Sequence, residues 1–142
     1  MILIFVGVCI MGISLVKATV ADAEELYKMQ IKSFKPLLDK YQDYEVNPGA
    51  EKIDRTIYRL NEKNSSYYFI KNDDASIGAI RILDFDALCM LKQMYILPEH
   101  QGNGYAQKAI FLEINILTLC FSRFQYVLFL MLRLCTRKCF AC

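Results

Sequence analysis

The residues with the clearest chemical meaning in this chain are Met94-Tyr95-Ile96-Leu97-Pro98-Glu99-His100-Gln101-Gly102-Asn103-Gly104-Tyr105-Ala106. An apolar strand pattern stops at Pro98. A short polar turn follows, carrying Gly102 and Gly104, and an amphipathic helical pattern begins near Tyr105. A chain that leaves a strand, turns on glycines and enters a helix brings several unpaired backbone N–H groups to one point. The positive end of the helix dipole lies behind those donors, and the combination suits a phosphate. Glycine lets the backbone approach the anion closely and adopt conformations closed to other residues.

Within the turn, Gln101, Gly104 and Ala106 are spaced Gln-x-x-Gly-x-Ala. This resembles the pyrophosphate loop of the GNAT N-acetyltransferase superfamily, Arg/Gln-x-x-Gly-x-Gly/Ala. Met94-Tyr95-Ile96-x-Pro98-Glu99 is similar to that superfamily's fourth strand and its exit, and Gly78-Ala79-Ile80-Arg81 to its third strand. Other phosphate loops fit worse. There is no Gly-x-x-x-x-Gly-Lys-Ser/Thr, and Gly102-x-Gly104 lacks the third glycine and the parallel βαβ setting of a dinucleotide fingerprint.

The resemblance implies acetyl transfer from acetyl-CoA, as cosubstrate and without a metal, to a small-molecule or peptide amine. Backbone N–H groups of Gln101, Gly102, Asn103, Gly104, Tyr105 and Ala106 would hold the pyrophosphate, with a side-chain contact from Gln101. Backbone groups of Met94 and Ile96, on either side of Tyr95, would pair with the pantetheine arm like a further strand. A backbone N–H there would polarise the thioester carbonyl.

The base that takes the amine's proton is not identified by sequence. The strand carries Lys92 and Gln93 where family members often place a glutamate. Glu99 reads as a solvated loop carboxylate and His100 as a surface residue. Asp84 and Asp86 sit at a strand reversal. Tyr67, Tyr68 and Tyr95 lie among apolar residues and read as core or cleft lining. The family's tyrosine that protonates the departing thiolate has no counterpart, because Tyr126 follows the loop too closely.

The elements that would position these groups follow from periodicity and propensity. Ile13 to Ala18 reads as a strand. Thr19 or Asp22 can cap a helix from Ala23 to about Leu38, with Leu26, Met29, Ile31, Phe34 and Leu37 as its stripe. Pro48 starts a second helix, with Ile53, Ile57 and Leu60 on one face. Strands follow at Ser66–Lys71, Ile77–Phe85 and Ala87–Leu97, the first two joined by a turn from Asn72 to Ala75. This order predicts an α/β (α+β) fold, GNAT-like, with a mixed, mostly antiparallel sheet flanked by helices. The resemblance covers residues 13–113.

The ends differ from that middle. Residues 1–12 begin with the apolar run MILIFVGVCI. They read as an extension without function, and Met11 could be the natural start; no basic segment precedes the run, as a secretory signal would need. Residues 114–142 hold no acid, glycine or proline, and four of the six cysteines fall from Cys120 onward. Such clustering does not build a disulfide framework, so a reducing cytoplasmic compartment is expected. Cys135, Cys139 and Cys142 lack a fourth metal ligand, because the chain's one histidine is His100. The tail lacks the turn signals of a fifth strand and fourth helix, and Ile114 to Leu134 could run as one long helix. Two alternatives to the enzyme therefore stand: a CoA-binding remnant without turnover, and a small protein held at a membrane by its tail. A net charge of +2 with interspersed signs excludes an electrostatic case for nucleic acid. The oligomeric state is open.

Overall fold

The computed structural model describes residues 12–85 and 88–120. Four strands, β1 (Ile13–Lys17), β2 (Ser65–Asn72), β3 (Ala75–Phe85) and β4 (Leu88–Ile96), form an antiparallel sheet in the order β1-β2-β3-β4. Among the described residues β4 is therefore an edge strand. Helices α1 (Ala23–Tyr41) and α2 (Ile53–Asn61) separate β1 from β2, and α3 (Tyr105–Cys120) follows β4. The architecture is the mixed α/β fold expected from the order of elements.

Strand alternation sorts the sheet into two faces. Tyr67, Phe69, Ala79, Tyr95 and Leu97 pack with Leu26 and Met29 of α1. Ile70, Ile80, Ile82, Cys89 and Ile96 pack with Ala109 and Leu112 of α3. Each face is closed by a helix, so burial of these side chains fixes the register: a one-residue slip would exchange the faces. At Gly78, β3 lies too near β4 to admit a side chain. A Cβ there would lie 2.3 Å from the Tyr95 carbonyl oxygen and 3.1 Å from the Ile96 Cα.

Two helix boundaries depart from expectation. α1 continues to Tyr41 through Pro36, and a Lys35–Asp39 ion pair of 3.0 Å spans the added turn. It ends where Gln42 turns left-handed at φ 52° and its N–H donates to the Leu38 carbonyl. Pro48 does not start α2. It opens a separate 3₁₀ turn, Pro48–Ala50, closed by the Gly49 N–H donating 2.8 Å to the Asn47 side chain. Glu51 and Lys52 are extended, and α2 begins at Ile53. The α1 stripe also differs: Gln30 and Ser33 are buried, whereas Ile31 is only half-buried. Gln30 is buried with its amide bonded to Gln93, Pro48 and Glu51.

Candidate active site

The edge of β4 follows from its pairing with β3. The Leu97 N–H donates to the Ile77 carbonyl at 2.8 Å. In an antiparallel ladder, bonded and non-bonded pairs alternate. Tyr95 opposite Ala79 is then a bonded pair, while Met94 opposite Ile80 and Ile96 opposite Gly78 are not. The backbone groups of Met94 and Ile96 therefore point away from β3, toward the unpaired edge. The Ile96 carbonyl confirms this direction, since it accepts from the Gln101 side-chain amide at 2.9 Å.

A β-bulge interrupts β4 upstream. Gln93 pairs with Arg81 and Leu91 with Ile82, so Lys92 is the extra residue and has no partner across the ladder. Leu91 packs on the α3 side. Regular alternation would place Gln93 on that side too. The bulge reverses the phase, and Gln93, Tyr95 and Leu97 face α1 instead.

After Leu97 the chain makes a 3₁₀ turn, Pro98–His100, and then the loop. Gly102 and Gly104 have φ of 79° and 72°, left-handed conformations for which glycine is suited. Nothing lies within 4 Å of a Cβ built on Gly102, and at Gly104 the nearest atom is Gln107 Oε1 at 3.9 Å. The Gly104 carbonyl accepts from the Lys108 N–H at 3.1 Å, which makes Gly104 the helix cap and leaves the first-turn donors unpaired. Among the described residues, the N–H groups from Gly102 to Gln107 bond no acceptor. Gln101 departs from expectation. Its N–H donates to Pro98 at 3.3 Å and its side chain turns back onto Ile96, so the run of free donors starts at Gly102. The Asn103 side chain donates to the carbonyls of His100 and Gln101, bracing the turn. The Tyr105 hydroxyl accepts from Asn72 at 3.2 Å, tying the helix start to the β2–β3 turn.

The acid–base candidates fall outside this edge. Glu99 pairs with Lys32 of α1 at 2.5 Å, and that hydrogen bond holds its carboxyl below the usual carboxylate range. Asp84 accepts from the Cys89 thiol at 3.7 Å. Asp86, Tyr126 and the tail from residue 121 lie outside the described residues, as do residues 1–11. Tyr67 and Tyr95 are buried, and burial pushes both hydroxyls up; Tyr95 donates to the Leu26 carbonyl at 3.0 Å. Tyr68 is half-buried against the α3-side cluster. His100 sits with its ring 6.4 Å from that of Tyr105.

Sequence reasoning missed a polar cluster between α1, α2 and the sheet. The Tyr67 hydroxyl donates to Gln93 Oε1 at 3.1 Å, and Gln93 Nε2 donates to Gln30 Oε1 at 3.2 Å. Gln30 Nε2 then donates 2.8 Å to both the Pro48 carbonyl and Glu51 Oε2. Arg59 grips both Glu51 oxygens at 2.7 and 2.6 Å. The carboxylate at the end of this chain can only accept, which sets the orientation of both amides. Burial pushes the Glu51 carboxyl up. Hydrogen bonds from Arg59 and Gln30, with the charges of Arg59 and Arg55, outweigh it and hold the group below the usual range. A glutamine at the Gln30 position of the α1 stripe, and another at Gln93 where the family often has a glutamate, were the available signals.

Among the described residues there is no group of three or more His, Cys, Asp or Glu that could hold a metal, and no helix is long and apolar enough to cross a membrane.

Comparison with known proteins bears on the fold and the family. The sequence model described as the acetyltransferase (GNAT) family matches residues 23–114. No curated protein matches the sequence. Solved structures that resemble the chain include an acetyltransferase from Thermus thermophilus, at 15% identity and a TM-score of 0.54 over 69% of this chain and 64% of that one. The chain therefore spans less than two thirds of that protein's length. The PaiA N-acetyltransferase of Thermoplasma acidophilum, solved with coenzyme A, matches at 18% identity and a TM-score of 0.52 over 75% of this chain and 72% of its own. A ribosomal-protein-alanine N-acetyltransferase from Brucella melitensis matches at 15% identity and 0.51, over 72% and 70%. At these identities the likeness is one of fold.

Proposed function

The chain belongs to the GNAT acetyltransferase family, and from that premise we propose that it moves an acetyl group from acetyl-CoA to an amine. The observation that carries this reading is the continuity of the β4 edge with the loop. Outward backbone groups at Met94 and Ile96 lead directly into the unpaired N–H groups of Gly102 to Gln107. The first set suits the amides of a pantetheine arm, which hydrogen-bond as a strand does. The second suits a pyrophosphate at a helix N-terminus. Strand edge then loop is the order in which pantetheine arm and pyrophosphate follow each other along coenzyme A, and the open space over Gly102 leaves room for the phosphates.

The acceptor is a small-molecule or peptide amine. One neighbour, the Brucella enzyme, is named for a ribosomal-protein alanine. The ion pair with Lys32 that lowers the Glu99 pKa, and the burial that raises those of Tyr67 and Tyr95, argue against these three as the base that takes the amine's proton.

Calorimetric titration of the full chain with acetyl-CoA tests the reading, beside a Gly104→Glu variant that puts a carboxylate where the phosphates would lie. Saturable binding, abolished in the variant, is expected. Release of thiol in a screen of amines should then identify the acceptor class. Binding with no turnover on any amine would favour the remnant. Absence of binding by folded wild-type protein would sink both.

A further inference from the structure

The Gln93 side chain poses a question that the backbone site leaves open. It lies on the sheet face lined by Ala79, Tyr95 and Leu97, beside apolar residues of α1. An amide placed there costs free energy unless it is bonded, and an aliphatic residue would carry no such cost. Both ends of the amide are bonded, to Tyr67 of β2 and Gln30 of α1, each only 1% exposed. Gln30 is held in turn by Pro48 and Glu51, and Glu51 by Arg59 of α2. The Gln93 side chain is thus bonded directly to two elements, β2 and α1, and linked through Gln30 and Glu51 to α2.

Its place in the strand gives that anchoring a consequence. Gln93 is the first residue after the bulge at Lys92. A bulge is a local choice: if the extra residue were Met94 instead of Lys92, Gln93 would pair with Ile80 rather than Arg81 and exchange its face and hydrogen-bonding direction. Met94 would then be the residue without a partner across the ladder, and its backbone groups would lose the direction toward the open edge that pairing with Ile80 gives them. Tyr95, Ile96 and Leu97 are buried and fix their own register, but Leu91 and Met94, on the α3 side, are only partly buried, so apolar packing specifies the phase weakly between those two residues. The bonds from Tyr67 and Gln30 supply the specification that packing does not. On the opposite strand, the ladder partner Arg81 is similarly held, by Glu62 and by Ser65 Oγ at 3.0 Å.

We infer that Gln93 is a positioning residue: by fixing the phase of β4 just after its bulge, it sets the direction of the Met94 backbone groups and so the seat of the pantetheine arm. This rests on the acetyl-CoA reading above. It assigns Gln93 an effect on one half of the cofactor only, because the loop from Gly102 onward is braced by Asn103 and Tyr105 and does not depend on the bulge.

That division supplies the test. Acetyl-CoA and 3′-phospho-ADP, which lacks the pantetheine arm, are titrated against wild type and Gln93→Leu. The variant should lose about tenfold in acetyl-CoA affinity, the scale on which small misplacements act, and keep its 3′-phospho-ADP affinity within about twofold, as the intact loop requires. Tyr67→Phe removes one bond while keeping the ring, and should lower the acetyl-CoA affinity in the same direction by less. It also decides the matter should Gln93→Leu fail to fold. Equal losses for both probes, or no loss for either, would overturn the inference while leaving the cofactor assignment standing. If wild-type protein binds neither probe, the cofactor assignment falls, and the inference with it.

Discussion

The loop from Gly102 to Gln107 and the cluster around Gln93 flank the same stretch of β4, yet they treat polar groups in opposite ways. The loop presents backbone donors with no partner among the described residues, over two glycines that leave the space in front of them open. The cluster binds Tyr67, Gln93, Gln30, Glu51 and Arg59 to one another in an unbroken chain. Unpaired donors at a surface are solvated and are readily exchanged for a ligand's oxygens. Buried groups left unpaired cost about 1–3 kcal/mol each, so the cluster is built to stay closed. One region is suited to bind and the other to hold the strand that binds, and side-chain chemistry is concentrated in the part that holds.

The largest expected effect removes the strand pairing on which both regions depend. Gly78→Val would place Cβ against the Tyr95 carbonyl, a backbone atom that cannot swing aside. Overpacking of this kind costs about 3 kcal/mol or more. Urea unfolding should show that loss, with acetyl-CoA binding lost as well. A variant that stayed as stable as wild type would mean that β3 and β4 do not approach as closely as described.

The next effect separates the regions. Gly102→Val meets no atom within 4 Å but must adopt φ near 79°. The left-handed conformation costs about 1–2 kcal/mol in stability, and the new side chain stands in the phosphates' path. Acetyl-CoA and 3′-phospho-ADP should both weaken, by about tenfold or more, since both engage the same donors. This contrasts with Gln93→Leu, which spares 3′-phospho-ADP. Unchanged affinities would remove the loop from the cofactor site.

These regions are not equally legible in the sequence. The loop is readable because backbone chemistry leaves a local trace: two glycines, a proline and a helix start within a few residues. The strands and their order follow from alternation and turn residues, and each falls within a few residues of its expected bounds. The cluster joins residues 30, 51, 59, 67 and 93, and no spacing rule connects them. In the sequence Gln30 is a polar interruption of an apolar stripe, and Gln93 a departure from a family pattern. The bulge is hidden because Lys92 and Gln93 are both polar, and the alternation on either side can be counted without noticing the shift. Pro48 misleads for a different reason: its fixed φ suits a 3₁₀ turn as well as an α-helix, and the Asn47 side chain selects the turn.

A smaller effect tests whether the cluster is closed electrostatically. Glu51→Gln leaves Arg59 largely buried without its charge partner, and should cost about 1–2 kcal/mol at neutral pH. The sign of the pH dependence follows from the lowered Glu51 pKa. The contribution is fully present above its unfolded value of 4.5 and is lost as pH falls through the lower folded value. Wild type should therefore lose more stability than the variant as pH is lowered from 4.5, and the two unfolding curves should converge in acid. Curves that stay parallel would show that the Glu51–Arg59 pair is solvated like a surface contact.

The smallest effect concerns the one ion pair that joins α1 to the approach of the loop. Lys32 and Glu99 meet at 2.5 Å, but their side chains are 57% and 46% exposed, against 13% and 23% for Arg59 and Glu51. Water and salt screen the exposed pair, and holding two long side chains together offsets much of the attraction. Lys32→Met and Glu99→Gln should each leave the urea midpoint unchanged within error, at low salt and at high salt alike. Glu99→Gln carries a second consequence, because Glu99 is the carboxylate nearest the loop in sequence. With its pKa held down by Lys32, Glu99 stays ionised throughout the neutral range and is a weak proton acceptor there. The acetylation rate of the Gln variant should keep the wild-type pH profile and magnitude. A fall of about tenfold or more, with loss of the profile's acid limb, would make Glu99 the base. It would also move side-chain chemistry back beside the loop, against the division of labour drawn from the two regions.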